Sequence, residues 1–316
     1  MQKMIAEQQA TNTILMIRPA DFEFNAETAA DNEFQNRPEG ISVRETALEE
    51  FRKAVELLRS EGIEVLVLEK DSSLPSMPDA VFPNNWFATD SDGGIHLFPM
   101  KTPNRQAEVL QKDAVLGLLE SAGFRCGTEK DWRNNLGEGA ILEGTGSLII
   151  DRVNKRFFAA VSERTQEAAC IKYAEESGFT PVLFHTRSSG GWAYYHTNVV
   201  MSIGPEIIVA CLECIPDSSE RERVKSEILR NHRLIEISIE QLEKGFCGNL
   251  LQVFNNRGEV LTVLSGTAYA ALNEEQRNVL SESGRLVKVP IPLIEQVGGG
   301  SIRCMMAEIF CPRKQG

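Results

Sequence analysis

Short apolar runs and helical periods alternate along the chain in a fixed order. Residues 14–17 form an apolar run that predicts a buried strand. From about Val43 to Ser60 the apolar positions recur with the period of an amphipathic helix, and the run from Glu64 to Leu68 predicts a second strand. The order of strand, hairpin, strand, helix and strand returns further along the chain, so the pattern predicts a repeated supersecondary unit.

One position in each unit carries a polar or sulfur-containing side chain next to an apolar run. These positions recur at intervals of about 55 residues, a period typical of radially repeated folds. They are Asn84, Glu143, His196, Asn249 and Cys304. We predict that each opens the first strand of its unit, including a buried strand at Cys304. In a closed ring the equivalent strand ends point at one central channel, so we expect the five side chains to meet there.

These repeats predict an α/β protein in which residues 14–316 form a single domain behind an N-terminal tail of residues 1–13. The last unit is half complete, and the N-terminal strand and helix are expected to complete it. Residues 20–40 interrupt the pattern with an irregular segment that contains three phenylalanines. A segment of this length is either a packed surface loop or a lid over a site. Another helix is expected from about Asn104 to Ser121.

The composition narrows the class of partners. A net charge of −12 and a pI near 5.0 argue against nucleic acid and anionic membranes. No apolar run approaches the roughly 20 residues of a membrane-spanning helix, and the first residues lack the apolar stretch of a signal peptide. The seven cysteines are scattered and odd in number, which favours a reducing cytoplasm over a disulfide framework.

Cys304 follows three consecutive glycines, residues 298–300, which leave an open loop beside its thiol. A cysteine in this position can act as a nucleophile, although free cysteines are also common core residues. The ring would bring His196 and Glu143 to the same channel. A thiol, an imidazole and a carboxylate together supply a nucleophile, a proton carrier and the group that orients it. The repeat therefore favours catalysis.

Two arginines, Arg105 and Arg164, each lie just past the second strand of a unit. A guanidinium group can hold a carboxylate through two parallel hydrogen bonds. Pairing with the nearby Glu108 and Glu167 explains both arginines equally well. The residues alone therefore leave open whether these side chains bind a ligand or stabilise the surface.

Several motifs resemble the guanidino-group-modifying enzymes of the pentein superfamily. The similarity covers nearly the whole chain and rests on residues 79–85, 142–146, 162–165 and 196–198 and on the glycine-led Cys304. It implies a single catalytic domain folded as a five-bladed α/β propeller of ββαβ repeats with pseudo-five-fold symmetry. It also implies chemistry that needs no metal and no organic cofactor.

The resemblance assigns roles to three residues of the predicted channel. Cys304 is expected to be the nucleophile, and His196 is expected to move protons. Glu143 is expected to orient His196. These assignments agree with the chemistry that the repeat positions suggest by themselves.

The same resemblance implies how an amino-acid substrate is held. Arg105 and Arg164 match positions that bind the α-carboxylate of the substrate. Asp79 matches a position near its α-amino group. The expected partner is therefore a small-molecule amino acid.

The departures from the family pattern concern the acids that pair with a guanidinium. The corresponding positions here are neutral, namely Asn84, Asn85, Asn198 and Gly146. A guanidinium would lose charge-assisted hydrogen bonds of about 1.5–3 kcal/mol each, whereas amides can both donate to and accept from a neutral ureido group. The pattern looks like that of citrulline ureidohydrolases, also named citrulline utilisation hydrolases. The expected reaction converts citrulline and water into ornithine, ammonia and carbon dioxide.

Two other functions stay open. Dihydrolases of arginine or N-succinylarginine and enzymes like arginine deiminase resemble the same pattern, and asparagine at the guanidinium-facing position also occurs among the dihydrolases. A non-catalytic pentein of the ribosome anti-association type shares the fold but lacks the cysteine–histidine pair. We expect no nucleic-acid or membrane partner and a cytoplasmic location, and the sequence leaves a homo-oligomer open.

Overall fold

A computed structural model describes residues 7–40 and 42–314. These residues contain five three-stranded sheets, each with one antiparallel and one parallel strand pair. Parallel strands need a crossover connection, and in every one of these sheets that connection contains a helix. The predicted order of strand, hairpin, strand, helix and strand is therefore confirmed.

We call the five sheets blades 1 to 5. Each blade has an inner strand antiparallel to the middle strand and an outer strand parallel to it. In the order inner, middle, outer, the strands are β15 (Ala307–Glu308), β1 (Thr13–Ile17) and β2 (Glu64–Leu68) in blade 1; β3 (Phe87–Thr89), β4 (Ile95–Leu97) and β5 (Glu129–Asp131) in blade 2; β6 (Ile149–Asp151), β7 (Arg156–Val161) and β8 (Thr180–His185) in blade 3; β9 (Met201–Ile203), β10 (Ile207–Ala210) and β11 (Arg233–Glu236) in blade 4; and β12 (Leu251–Phe254), β13 (Val260–Ser265) and β14 (Arg285–Val289) in blade 5.

The helices vary from one turn to five. They are α1 (Val43–Ser60), α2 (Pro103–Gln106), α3 (Lys112–Ser121), α4 (Trp132–Asn135), α5 (Gly144–Ser147), α6 (Glu167–Ser177), α7 (Thr197–Val200), α8 (Ser218–Leu229), α9 (Ile239–Gly245), α10 (Gly266–Ala271), α11 (Glu274–Ser283) and α12 (Pro292–Gly298). Shorter 3₁₀ helices cover Pro83–Asn85, Ala107–Gln111, Leu212–Cys214 and Ile302–Met305.

Helix α1 has the bounds that its sequence predicts. Its buried residues recur at helical spacing and form one apolar face, made of Ala47, Phe51, Ala54, Val55 and Leu58. This face lies against β2 and β14. Burial of such a face stabilises a helix more than intrinsic propensity does.

The first and last strands close the ring. Strand β15 pairs with β1 so that Ile14 lies opposite Glu308 and Leu15 opposite Ala307. Inner strands of neighbouring blades contact each other at β15–β3, β6–β9 and β9–β12. The N-terminal strand and helix therefore complete the unit that begins at Cys304, as predicted, and the apolar core lies between the sheets and their crossover helices.

Four runs that the sequence assigns to inner strands begin instead as helical turns. The run at Asn84 forms the 3₁₀ helix Pro83–Asn85 before β3. The run at Cys304 forms the 3₁₀ helix Ile302–Met305 and leaves only two residues for β15. The runs at His196 and Glu143 form α7 and α5 before β9 and β6. A short apolar run that is buried on all sides fits a strand and a buried helical turn equally well, which explains why the expectation was wrong.

The helix expected from about 104 to 121 is broken into α2, the 3₁₀ helix Ala107–Gln111 and α3. Arg105 and Glu108 lie on its inner side and are both buried, with exposures of 2% and 0%. Their ion pair, with Nε of Arg105 2.8 Å from Oε1 of Glu108, occupies positions that a regular amphipathic helix would give to apolar residues.

Residues 20–40 pack over one side of the ring. Phe22 and Phe34 are buried, and the ring of Phe34 lies 5.3 Å from that of Phe246 and 6.2 Å from that of Tyr195. The packed-loop interpretation therefore describes this conformation. Movement of the segment as a lid stays a prediction.

Residues 1–6 of the predicted tail lie outside the described residues. The side chain of Gln9 donates to the carbonyl of Ile150 at 2.8 Å and accepts from the main-chain amide of Arg152 at 2.9 Å. Strand β1 begins at Thr13, and the boundary between tail and domain stays a prediction. Within the described part of the chain, no helix is long and apolar enough to cross a membrane.

Candidate active site

Short turns before the inner strands bring the predicted residues to the centre of the ring. Helix α5 contacts α7 and the 3₁₀ helix that contains Asn85, and that 3₁₀ helix contacts the one that contains Cys304. Glu143 and His196 are the residues immediately before α5 and α7. The repeat positions of four blades thus lie side by side, as the ring geometry predicts.

His196 and Glu143 form a buried pair in which Nε2 of the imidazole lies 2.6 Å from Oε2 of the carboxylate. Burial alone would raise the pKa of Glu143, but the charge of Arg164 and the hydrogen bond from His196 lower it to about 2. An ionised carboxylate only accepts hydrogen bonds, so we assign the proton to Nε2 and a free lone pair to Nδ1. Burial lowers the pKa of His196 despite the neighbouring carboxylate, and the resting imidazole is neutral.

The thiol of Cys304 is 3% exposed and lies between two side-chain amides. Nδ2 of Asn198 is 3.4 Å and Nδ2 of Asn249 is 3.3 Å from Sγ. Burial raises the pKa of Cys304, although the hydrogen bond from Asn249 opposes this. The thiol is therefore protonated at rest, and two N–H donors are in place for the thiolate once a base removes its proton.

Asn249 had no role in the sequence analysis beyond its place in the repeat. Its amide also donates to the carbonyl oxygen of Asn198 at 2.8 Å, which fixes its orientation toward Cys304. The constant period of the units was the signal that could have assigned it to the site, because it occupies in blade 5 the position that His196 occupies in blade 4.

Cys304 and His196 line one small cavity, which we call the Cys304 cavity. Its volume is about 10 Å³, enough for about one water molecule. Asn32 and Gln35, which belong to the irregular segment 20–40, form part of its wall. In the present conformation this cavity is smaller than an amino acid.

Arg105 lies in the wall of the Cys304 cavity, where its guanidinium is already bonded. Two of its nitrogens donate to Glu108 at 2.8 and 3.0 Å, and a third donates to Oδ1 of Asn85 at 2.7 Å. The pairing with Glu108 is one of the two alternatives that the sequence leaves open, although it occurs in the interior and not on the surface. Arg105 holds the Asn85 amide in position beside the cavity.

Arg164 also lines the cavity, and its partner is Asp31 of the irregular segment instead of the alternative Glu167. Its Nε donates to Oδ2 of Asp31 at 3.2 Å, and a second nitrogen donates to Oδ1. The guanidinium carbon lies 4.9 Å from the ring centre of Tyr195. The sequence could not assign Tyr195 or Asp31 to the site, because neither occupies a repeat position.

Asp79 lines the cavity, and one of its carboxylate oxygens has no hydrogen-bond partner among the described residues. Its Oδ2 accepts hydrogen bonds from Asn25 at 2.8 Å and Thr28 at 3.0 Å, whereas Oδ1 is buried without a partner among the described residues.

Two of the predicted site residues, Asn84 and Asn198, lie behind the residues that line the cavity. The side-chain amide of Asn84 donates to the hydroxyl of Thr145 at 3.3 Å.

Gly146 leaves room for the imidazole. A Cβ atom at this position would lie 2.8 Å from Nδ1 of His196 and would overlap the side-chain amide of Asn85. The absence of a side chain here is therefore required by the present positions of His196 and Asn85. The acid that the family pattern has at this position would displace both His196 and Asn85.

The described residues hold no group of three or more His, Cys, Asp and Glu side chains arranged to bind a metal ion. The seven cysteines are free thiols. The side chains gathered at the cavity can supply a nucleophile, a base, an orienting carboxylate and hydrogen-bond donors and acceptors.

Comparison with known families identifies the chain's relatives. Residues 18–311 match the family model described as N,N dimethylarginine dimethylhydrolase, eukaryotic. The chain belongs to this family. Membership of the N,N dimethylarginine dimethylhydrolase family confirms the expected superfamily of guanidino-group-modifying enzymes. A search of curated protein sequences gave no match.

Solved structures of this superfamily share the fold at low sequence identity. ArgZ, an arginine dihydrolase from the ornithine–ammonia cycle in cyanobacteria, is 16% identical with a TM-score of 0.71 over 96% of this chain and 41% of its own. Its N-terminal domain bound to substrate covers 94% of this chain and 97% of its own, with 16% identity and a TM-score of 0.68. DDAH from Pseudomonas aeruginosa, in complex with citrulline, is 14% identical with a TM-score of 0.64 over 95% of this chain and 100% of its own. The chain thus spans less than half of full-length ArgZ, and the predicted pentein fold is confirmed.

Proposed function

We propose that this protein hydrolyses the ureido group of citrulline and releases ornithine, ammonia and carbon dioxide. One observation carries the proposal: Asp79 is the only carboxylate among the described residues that line the Cys304 cavity. The polar groups nearest the thiol are the neutral amides of Asn198 and Asn249, and Asn85 contributes a third amide to the lining. A neutral ureido group fits these amides better than a guanidinium does, because a buried cation without a carboxylate partner is costly.

Cys304 is the nucleophile in this mechanism. Nδ1 of His196 accepts the thiol proton, and the thiolate adds to the ureido carbon while the amides of Asn198 and Asn249 donate to the sulfur. One carbon–nitrogen bond breaks, and His196 returns the proton to the departing nitrogen. Glu143 stabilises the imidazolium that exists between these two steps.

Water completes the reaction. His196, again neutral, takes a proton from a water molecule, which attacks the carbon bound to Sγ of Cys304. The carbon–sulfur bond breaks, and His196 returns the proton to Sγ of Cys304. The released carbamic acid then breaks its remaining carbon–nitrogen bond and gives the second amine and carbon dioxide. One citrulline and one water then balance one ornithine, one ammonia and one carbon dioxide.

Two groups at the other end of the cavity suit the amino-acid part of the substrate. The unoccupied Oδ1 of Asp79 is available to an ammonium group, and Arg164 offers a guanidinium to a carboxylate. Arg164 is bound to Asp31 in the present conformation, so the substrate carboxylate replaces Asp31 there. The Asp31 segment moves as the substrate enters, because the cavity holds only about one water molecule.

A second candidate is an arginine dihydrolase. It is favoured by the fold shared with ArgZ, an arginine dihydrolase, and by membership of a family named for a substrate with a guanidino group. Such an enzyme would pass through the same ureido-level chemistry in its second step. A charged guanidinium would, however, meet the Asn85 amide of the lining in place of a carboxylate, and the side chains hydrogen-bonded to Sγ of Cys304, those of Asn198 and Asn249, are also neutral.

A direct assay separates these functions. Purified protein is offered citrulline, arginine, N-succinylarginine and N,N-dimethylarginine separately, and ornithine and ammonia are measured over time. We expect ornithine and one equivalent of ammonia from citrulline. Faster ornithine release from arginine, with two equivalents of ammonia, would contradict the citrulline proposal and support the dihydrolase. The Cys304→Ser variant serves as the control for contaminating activity.

A further inference from the structure

A second cavity lies away from the Cys304 cavity and shares no lining residue with it. Its volume is about 120 Å³, and it opens between blades 2 and 3. Side chains of Arg152, Tyr173, Lys130 and Lys155 contribute to its wall. We call it the Arg152 cavity, and the proposed hydrolase mechanism uses none of these residues.

Arg152 differs from the other buried arginines of the described chain. Four of them have carboxylate partners within 4.0 Å: Arg105 with Glu108, Arg156 with Asp151, Arg164 with Asp31 and Arg303 with Glu308. The guanidinium of Arg152 has no ion pair and no hydrogen bond to any described residue, although the residue is only 7% exposed. The guanidinium carbon of Arg152, Cζ, lies 3.9 Å from the ring centre of Phe310.

A buried cation in this position lacks the compensation that buried charges require. The face of Phe310 supplies a cation–π interaction but accepts no hydrogen bond along the edge of the guanidinium. The planar guanidinium fork is shaped to bind two oxygens of one anion. The lining of the Arg152 cavity therefore includes a donor group that is buried, charged and without a hydrogen-bond partner among the described residues.

Tyr173 provides a second donor at the same cavity. Its hydroxyl has no hydrogen-bond partner among the residues that the structure describes, although the side chain is 3% exposed. Burial raises the pKa of Tyr173 to about 12, although the charge of the nearby Arg152 acts to lower it. The hydroxyl therefore keeps its proton and can donate a hydrogen bond to an acceptor.

The other charges at this cavity are paired, except that of Asp92, which is exposed and has no ion pair among the described residues. Nζ of Lys130 lies 3.2 Å from Oδ2 of Asp90, and Nζ of Lys155 lies 2.9 Å from Oε1 of Glu7. Oδ2 of Asp90 is also 2.9 Å from Nε2 of His96. These pairs cancel one another, so Arg152 is the unpaired charge among the buried lining residues, and Asp92 is an unpaired charge on an exposed one.

We propose that the Arg152 cavity binds a small oxyanion, a carboxylate or a phosphate group, through the guanidinium of Arg152 and the hydroxyl of Tyr173. The volume admits a molecule of several non-hydrogen atoms, unlike the Cys304 cavity. The site is independent of the hydrolytic chemistry, so binding here does not require that the proposed function is correct.

Isothermal titration with inorganic phosphate and, separately, with acetate tests the proposal and distinguishes the two oxyanions. We expect saturable binding of at least one of them to the wild-type protein and equal binding to Cys304→Ser. Arg152→Gln is expected to weaken binding at least about tenfold, because it removes a charge-assisted hydrogen bond. Arg18→Gln, which removes an exposed arginine paired with Glu69, is the matched control and keeps the wild-type affinity.

Tyr173→Phe keeps the ring and its packing and is expected to weaken binding several-fold, which preserves the test if Arg152→Gln fails to fold. Arg152→Met is expected to unfold at a higher temperature than wild type without anion, since it removes an unmatched buried charge. Added anion should raise the unfolding temperature of wild type but not of Arg152→Met. The absence of saturable binding to wild type by both anions, or unchanged binding to both Arg152→Gln and Tyr173→Phe, would overturn the proposal.

Discussion

The carboxylate of Asp31 lies against the guanidinium of Arg164, with Oδ2 3.2 Å from Nε and Oδ1 bonded to a second nitrogen. The two residues are 133 positions apart, and this contact joins the irregular segment 20–40 to blade 3. Lys101 also donates to Oδ2 of Asp31, at 2.6 Å. The segment thus places its own carboxylate where the proposed mechanism needs that of the substrate.

Removal of this contact should improve substrate binding. We predict that Asp31→Asn lowers the KM for citrulline up to about tenfold, because the substrate carboxylate no longer displaces a charge-assisted hydrogen bond. Steady-state kinetics measures the effect, with Glu163→Gln as the control, since Glu163 contacts Lys101 but not Arg164. An unchanged or higher KM in Asp31→Asn would mean that the carboxylate does not compete with the substrate.

Cys304→Ser should abolish turnover while the melting temperature stays close to that of wild type. Serine has nearly the same shape, but its hydroxyl is a far weaker nucleophile than a thiolate. Turnover and thermal unfolding are measured on the same preparation. Cys126→Ser, at a half-buried thiol outside the Cys304 cavity, is the matched control and should retain activity. Residual turnover near the wild-type level in Cys304→Ser would remove Cys304 from the mechanism.

Asn85→Asp should lower kcat/KM for citrulline about tenfold or more. The Asn85 amide lines the cavity, and a carboxylate there would face a neutral ureido group and bind Arg105 more tightly. The same variant should lose less activity toward arginine, so the ratio of the two kcat/KM values is the informative measurement. Asn84→Asp is the comparison, because Asn84 lies behind the lining and should alter that ratio less. Equal loss toward both substrates in Asn85→Asp would indicate a structural effect.

Gly146→Ala should reduce kcat more than it raises KM. The added Cβ would lie 2.8 Å from Nδ1 of His196, so the imidazole must shift away from its present position, which the proposed mechanism uses. Gly117→Ala is the matched control, since a Cβ there meets nothing within 4 Å and alanine favours the helix. A wild-type kcat in Gly146→Ala would show that His196 tolerates displacement.

The Glu143–His196 pair should make stability depend on pH in a defined direction. The pKa of Glu143 is lowered to about 2 in the folded protein from an unfolded value of 4.5, so its contribution is complete above pH 4.5 and disappears as the pH falls through about 2. The free energy of unfolding lost in Glu143→Gln should therefore be larger at pH 5 than at pH 3. By linkage the full effect is on the order of 3 kcal/mol. Urea unfolding of both proteins measures it, and a difference independent of pH would contradict it.

The repeat made much of this architecture predictable. A constant period in the sequence located Glu143, His196 and Cys304 at equivalent places, and their meeting at one centre follows from closing the ring. Both ends of helix α1 agree with the sequence prediction, because the buried apolar residues of this helix recur at helical spacing.

Other features depend on contacts that no local pattern encodes. The turns before β3, β6, β9 and β15 are helical, and each of them contacts the corresponding turn of a neighbouring blade. Asp31 reaches Arg164 from a segment without any period. The distinction between Asn85, which lines the cavity, and Asn84, which points to Thr145, is likewise set by packing between blades.

The pairing of β15 with β1 has a consequence for the order of folding. The hydroxyl of Thr11 donates to the carbonyl of Ile309 across a sequence separation of 298 residues. Contacts between residues so far apart in sequence form slowly, because closing the long intervening loop costs conformational entropy before the contact is gained. Cys304 lies three positions before the first residue of this closing strand. Recovery of turnover on refolding should therefore lag behind the recovery of secondary structure.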